Sequence, residues 1–97
     1  MMFKYELMFI VRPNLEEAEI KKVAEEMKKT VESFNAKVVD FKDMGQRELA
    51  YEIKTFKNGY YFLLTIETED DKAINEFSRL ASINENIIRS LVVKVDE

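Results

Sequence analysis

Two apolar periodicities alternate along this chain of 97 residues, and their order limits the folds open to it. Stretches in which every second residue is apolar are typical of strands, whereas spacings of three and four are typical of amphipathic helices. The predicted elements are strand Lys4–Arg12, a helix from Asn14, strand Lys37–Phe41 continuing through Arg47–Lys54 after a bend, strand Tyr60–Thr68, a helix after Asp71, and strand Ile87–Val95. The order is therefore strand, helix, strand, strand, helix, strand.

This order predicts an α+β fold of the ferredoxin-like βαββαβ type, because it consists of two β-α-β units joined by a hairpin. Right-handed crossovers place both helices on one face of a four-stranded antiparallel sheet with the strand order 4-1-3-2. The other face of the sheet is then open, and the long second strand lies at an edge. We expect residues 1–97 to form a single domain, since the chain is long enough for one compact core and too short for two.

Short polar motifs predict where these elements begin and turn. Asn14 with Glu17 three residues later resembles a capping box at the start of the first helix. Gly45 predicts a bulge in the second strand, and Asn58–Gly59 predicts the hairpin turn that follows it. The first helix is expected to bury one apolar stripe, made of Ile20, Val23, Ala24, Met27, Val31 and Phe34.

The chain contains neither Cys nor His. It cannot form disulfides or use a thiol nucleophile, and it lacks the commonest general base and the commonest zinc ligands. Few catalytic arrangements remain, so we expect a protein that is not an enzyme and needs no metal or cofactor. No apolar run approaches the ~20 residues that span a bilayer, and the start lacks the pattern of a signal peptide. These features predict a cytosolic protein.

The charge balance argues against a strong RNA binder that acts alone. The chain has 19 acidic and 15 basic residues and a net charge of −4, whereas phosphate neutralisation usually needs a basic excess. A local basic patch on an acidic body remains compatible with this total. Lys4 and Arg89 fall on strands predicted to be neighbours, and Lys94 lies on the strand of Arg89 at odd spacing, which points it to the opposite face.

Three alternative functions remain open. Tyr60, Tyr61 and Phe62 could stack bases on the open sheet, although aromatics in such a strand more often fill the core. Arg12 follows the first strand, where an acylphosphatase-like enzyme of this fold would hold a phosphate, but the loop has no Gly and Pro13 removes one N–H donor. Domains of this fold also bind small ligands or dimerise when tethered to an enzyme, and no linker is visible here.

A motif in the middle of the chain resembles one family. Gly45–Lys54 reads Gly-Gln-Arg-Glu-Leu-Ala-Tyr-Glu-Ile-Lys and is followed by Asn-Gly-Tyr-Tyr at Asn58–Tyr61. Supporting segments are Lys4–Glu6, Arg12–Asn14 and Asn86–Lys94. Their order and spacing, over almost the whole length, resemble the bacterial small-subunit ribosomal protein number six family.

The resemblance implies a ferredoxin-like fold and a structural role in the small ribosomal subunit. Members of the family bind the central domain of small-subunit ribosomal RNA together with small-subunit ribosomal protein eighteen, which is small and basic. Matched position by position to the family, the resemblance implies RNA contacts at Lys4, Arg47, Arg89 and Lys94. These side chains would bind phosphates rather than recognise base edges. The edge strand Arg47–Lys54 is the candidate docking site for the protein partner.

The chain departs from the family pattern at several positions that are often basic in relatives. These positions are Phe3, Gln46, Glu48 and Ser82. The departures imply weak direct affinity for RNA, with the basic partner supplying more of it. A basic partner would also reconcile the negative charge of this chain with an RNA-rich destination.

Overall fold

The computed structural model describes residues 2–53 and 56–95. The elements are β1 (Phe3–Val11), α1 (Glu17–Glu32), β2 (Lys37–Ile53), β3 (Phe56–Thr68), α2 (Lys72–Ile83) and β4 (Ile87–Val95). The predicted βαββαβ order is confirmed, and the last strand has the predicted bounds. Within the described residues, neither helix combines the length and apolar composition that a membrane crossing requires.

The four strands form one sheet in the order β2-β3-β1-β4, and all three neighbouring pairs are antiparallel. This is the predicted order 4-1-3-2 read from the other edge. The two central strands are β1 and β3, which explains why both carry apolar residues on both faces. The long β2 lies at one edge, as predicted, and β4 lies at the other.

The core lies between the sheet and the two helices. Phe9 of β1 stacks on Phe62 of β3 with ring centres 5.3 Å apart, and Phe77 of α2 lies 6.0 Å from Phe9. Burying each of these side chains contributes about 1.5–3 kcal/mol. The apolar stripe of α1 completes this layer with Ile20, Val23, Ala24, Met27 and Val31. Phe34 is the exception, because α1 ends at Glu32 and this residue is 37% exposed.

The capping box predicted at the start of α1 is wrong. The helix begins at Glu17 with Glu16 at the N-cap position, and no side chain caps it. Asn14 therefore lies two residues too early to reach the first free N–H groups, and its carboxamide oxygen accepts a bond from Arg12 instead. Glu17 and Glu19 still lie in the first turn, where the helix dipole favours their charge.

The hairpin turn predicted at Asn58–Gly59 is also wrong. Both residues lie within β3, where Asn58 pairs with Glu48 and Gly59 with Arg47, and the hairpin closes where Ile53 pairs with Phe56. The glycine serves close packing instead, since a Cβ there would overlap Cγ2 of Ile10 and lie 3.2 Å from the carbonyl oxygen of Val11. Lys54, the predicted end of the second strand, lies outside the described residues.

Three register shifts interrupt the pairing of β2 with β3, and the first lies between Val38 and Asp40. The bulge predicted at Gly45 is confirmed, because the register shifts between Asp43 and Gly45 and the glycine has φ +76°. The carboxylate of Asp43 accepts a hydrogen bond from the Gly45 N–H at 2.9 Å. A larger irregularity follows between Glu48 and Ile53, where residues 49–52 of β2 face Lys57 alone on β3. We call residues 49–53 the bulged segment.

Candidate functional site on the open face of the sheet

The face of the sheet that the helices leave bare carries four rows of side chains. Residues paired directly in an antiparallel sheet lie on the same face, so the register defines these rows. From one end to the other they are Val95, Lys4, Glu67 and Lys37; then Val93, Glu6, Thr65 and Asp40; then Leu91, Met8, Leu63 and Lys42; then Arg89, Ile10, Tyr61 and Gly45. The first two rows are mainly charged and the last two mainly apolar.

The charged end is close to electrical balance. Glu67 is paired with Lys4 on one side and with Lys37 on the other, and the next row adds Glu6 and Asp40. Opposite charges paired across strands attract one another and stabilise the sheet by a few tenths of a kcal/mol to about 1 kcal/mol each. Two lysines therefore face three carboxylates, and this end has no cationic excess for binding phosphates.

The apolar end is partly covered by β2 itself. The bulged segment lies over the last two rows, and a cleft of about 180 Å³ lies between this segment and the sheet. The cleft is lined by Met8, Ile10, Leu49, Tyr51, Ile53, Tyr61 and Arg89. Leu91 and Val93 of β4 lie outside the cleft on the same face, and they are 49% and 46% exposed. Exposed apolar side chains that adjoin an apolar cleft are typical of a surface that binds another macromolecule.

Arg89 lies at the rim of this cleft. Its Nη1 donates a hydrogen bond to the hydroxyl oxygen of Tyr51 at 2.8 Å, and its guanidinium carbon lies 5.9 Å from the centre of the same ring. Both side chains are exposed. A guanidinium carries five N–H donors, so this bond leaves donors available to an incoming anion.

The four residues predicted to contact RNA do not form one patch. Arg47 and Arg89 lie towards the apolar end of the open face, and Nε of Arg47 donates to the carbonyl oxygen of Met44 at 3.2 Å. Lys4 lies six residues before Ile10, the partner of Arg89, which is about 20 Å along β1. The structure therefore brings the two arginines to one end of the sheet and leaves Lys4 at the other.

Lys94 lies on the helix-bearing face of the sheet. It pairs with Tyr5, which packs against the core, and its ammonium nitrogen lies 4.5 Å from the centre of the Phe3 ring. The prediction that Lys94 and Arg89 point to opposite faces is confirmed. Lys4 and Lys94 are thus near neighbours along adjacent strands but face opposite sides of the sheet.

Arg12 joins the end of β1 to the turn before β4. Its Nε donates to the side-chain oxygen of Asn86 at 2.9 Å, its backbone N–H donates to the carbonyl oxygen of Asn86 at 2.9 Å, and its Nη1 donates to Asn14 at 3.4 Å. The guanidinium is thus engaged with two asparagine side chains, an arrangement that holds the loop. In the described part of the chain, no three acidic side chains converge where they could hold a metal ion.

The aromatics of β3 lie on two faces. Phe62 is buried in the core, and Tyr60 packs against that core. Tyr61 lines the cleft beneath the bulged segment. Tyr51 is an exposed aromatic residue beside the guanidinium of Arg89, and sequence reasoning gave it no role. Its alternation with Leu49 and Ile53 was the available signal that it shares a face with them.

Comparisons with known proteins agree with the fold and the motif. A family model described as Ribosomal protein S6 matches residues 4–94. The crystal structure of the 30S ribosomal protein S6 of Thermotoga maritima is 31% identical in sequence, covers 98% of this chain and 89% of that one, and has a TM-score of 0.93. The extracellular region of zebrafish Gpr126 covers 98% of this chain and 14% of that one at 10% identity and a TM-score of 0.55. The second likeness concerns the fold alone.

Proposed function

Because the chain belongs to the ribosomal protein S6 family, whose model matches residues 4–94, we propose that it binds the central domain of small-subunit ribosomal RNA together with small-subunit ribosomal protein eighteen. Family membership makes it a protein of the small ribosomal subunit. The family match is the observation that carries the proposal. In this role the protein acts by binding rather than by catalysis, as one domain over residues 1–97, on the ribosome in the cytoplasm.

Arg47 and Arg89 are the first candidates for contact with RNA. Both are exposed on the open face, and a guanidinium can give two parallel hydrogen bonds to a phosphate. Lys4 is a further candidate at the other end of the open face, and Lys94 is a candidate at that end on the helix-bearing face. Because the two ends are about 20 Å apart along the strands, no single phosphate can be reached from both, and the RNA would have to follow the strands.

The charges of the molecule explain why a partner is needed. The net charge is −4, and the lysines at the charged end of the open face lie beside carboxylates. Such a surface gains little from the counterion release that drives binding to nucleic acid. A basic protein bound to this chain would add cations next to Arg47 and Arg89, so the pair should bind RNA more tightly than either protein alone.

The edge strand β2 is the proposed docking site of that partner. Residues Arg47–Lys54 carry the family motif, and the part of this stretch that the structure describes lies on an outer strand with β3 on one side only. An edge strand can accept another strand through its outward N–H and C=O groups. The adjoining apolar cleft and the exposed Leu91 and Val93 offer contact area on the same face.

A filter-binding titration with a central-domain RNA fragment, with and without protein eighteen and at two salt concentrations, tests this function. We expect tight binding by the pair, weak binding by this chain alone, and affinity that falls as salt rises. Arg47→Ala and Arg89→Ala should weaken binding by the pair. Arg79→Ala removes the same charge from α2 and is the matched control. If the pair binds the RNA no more tightly than the affinities of the two separate proteins predict, the proposal is refuted.

A further inference from the structure

A side-chain contact connects the two edge strands of the sheet. Tyr51 belongs to β2 and Arg89 to β4, and the strands β3 and β1 lie between them. The hydrogen bond from Arg89 to the Tyr51 hydroxyl joins residues that are 38 positions apart in sequence. The candidate docking strand and a candidate RNA contact are therefore in direct physical contact across the open face.

The bulged segment makes this contact geometrically accessible. In a regular hairpin, residues 49–52 would each lie opposite a residue of β3, but here they face Lys57 alone. The extra length lets this part of β2 lie over the sheet, where Leu49, Tyr51 and Ile53 line the cleft with Ile10 and Tyr61. Tyr51 as a residue remains 62% exposed while its hydroxyl reaches the guanidinium.

Anchoring the guanidinium favours anion binding. A long arginine side chain loses conformational freedom when it binds a phosphate, and a guanidinium already held in place loses less of it. The Tyr51 hydroxyl accepts a hydrogen bond from one of the five N–H groups and leaves the charge of Arg89 unneutralised. The ring beside the guanidinium adds a cation–π attraction in the same orientation.

We propose that Tyr51 is a positioning residue that holds the guanidinium of Arg89 for an RNA phosphate, so that protein docking on β2 and RNA binding at β4 are coupled through this contact. The inference rests on the proposed function. A partner strand paired with β2 would restrict the bulged segment, fix the Tyr51 ring and thereby fix Arg89. Such coupling is reciprocal, so RNA bound at Arg89 would also tighten docking of the partner.

A double-mutant cycle tests the contact between Tyr51 and Arg89 on which the coupling depends. The affinity of the central-domain RNA fragment is measured for wild type, Tyr51→Phe, Arg89→Ala and the double variant, each with protein eighteen bound. Tyr51→Phe removes the hydroxyl and keeps the ring, and it should weaken RNA binding about threefold to tenfold. The same change in the Arg89→Ala background should have no further effect, because there is no guanidinium left to position.

Tyr60→Phe is the matched control, since it removes a hydroxyl from a tyrosine that packs against the core on the other face. It should leave RNA binding unchanged. If Tyr51→Phe costs the same with and without Arg89, or costs nothing while the wild-type pair binds tightly, the coupling is refuted and the proposed function stands. If the wild-type pair does not bind the RNA, the proposed function fails and the coupling fails with it.

Discussion

The ammonium nitrogen of Lys94 lies 4.5 Å from the centre of the Phe3 ring. Phe3 pairs with Thr68 of β3, and Lys94 pairs with Tyr5, so this contact lies on the helix-bearing face near the start of β1. A cation over an aromatic face at an exposed site stabilises by about 0.5–1 kcal/mol. Lys94 therefore contributes to the fold independently of the RNA contact proposed for it.

Lys94→Gln should lower the free energy of unfolding by about 0.5–1 kcal/mol, since it removes the charge from the Phe3 ring. Urea denaturation of wild type and variant measures this difference. In a Phe3→Leu background the same change should have almost no effect. An equal loss in both backgrounds would mean that the ring does not take part.

Gly59→Ala should destabilise the protein by about 1–3 kcal/mol, as expected when a tightly packed site receives an extra methyl group. The new Cβ would overlap Cγ2 of Ile10 and approach the carbonyl oxygen of Val11. Urea denaturation again measures the cost. The cost should be smaller when Ile10 is also changed to Ala, and full additivity of the two changes would contradict this explanation.

Gly45→Ala is the informative comparison, because a Cβ at Gly45 meets nothing within 4 Å. Its loss of stability should come from the backbone alone, since φ is +76° and residues with a Cβ disfavour that conformation by about 1–2 kcal/mol. Gly45→Asn should therefore cost less than Gly45→Ala, as Asn tolerates a left-handed conformation. The reverse order would mean that space rather than φ decides at this site.

Glu76 and Arg79 form an ion pair on α2, in which Nε of Arg79 donates to the Glu76 carboxylate at 3.0 Å. This hydrogen bond lowers the pKa of Glu76 below its ordinary value of 4.5 and raises the pKa of Arg79. Because the pKa of Glu76 is lower in the folded state, the pair stabilises the fold above pH 4.5. That stabilisation is lost as the pH falls through the folded pKa.

At neutral pH, wild type should therefore have a slightly larger free energy of unfolding than Glu76→Gln. This difference should disappear in acid. Urea denaturation at a series of pH values measures it. Glu25→Gln, on the exposed side of α1, is the control for loss of a carboxylate. A difference for Glu76→Gln that does not change with pH would show that the ionised carboxylate is not its source.

Docking on β2 can be tested with a proline that removes one outward N–H. Placed within residues 47–53 at a position whose N–H points away from β3, it should weaken binding of protein eighteen about threefold to tenfold, because one strand-pairing hydrogen bond is lost. Isothermal titration calorimetry measures the affinity, and Ala at the same position is the control. Unchanged affinity in a folded proline variant would exclude this edge as the docking site.

Elements with strong periodicity could be predicted from the sequence. The stripe of α1 was predicted from Ile20 to Val31, and β4 was predicted with its correct bounds, because burial of one face dominates the local preferences there. Phe34 was predicted wrongly because the helix ends before it. Asn58–Gly59 was predicted wrongly because the long β2–β3 pairing and the packing against Ile10 override a local turn signal.

The arrangement of the site could be predicted only in part. Alternation placed Arg89 and Lys94 on opposite faces, and the structure agrees. The contact between Tyr51 and Arg89 could not be predicted, because it depends on the length of the bulged segment and on the register of four strands. Residues 49–52 have no individual partners on β3, so the alternation along β2 does not fix where Tyr51 lies relative to β4.

Reconstitution of the small ribosomal subunit tests the central claim most directly. Subunits are assembled from small-subunit ribosomal RNA and the other proteins, with this chain supplied as the sole member of its family, and are then separated on a sucrose gradient. We predict that the chain sediments with the subunit at one copy per particle and that omitting protein eighteen abolishes its incorporation. A chain that stays at the top of the gradient when every other component is present would contradict the account.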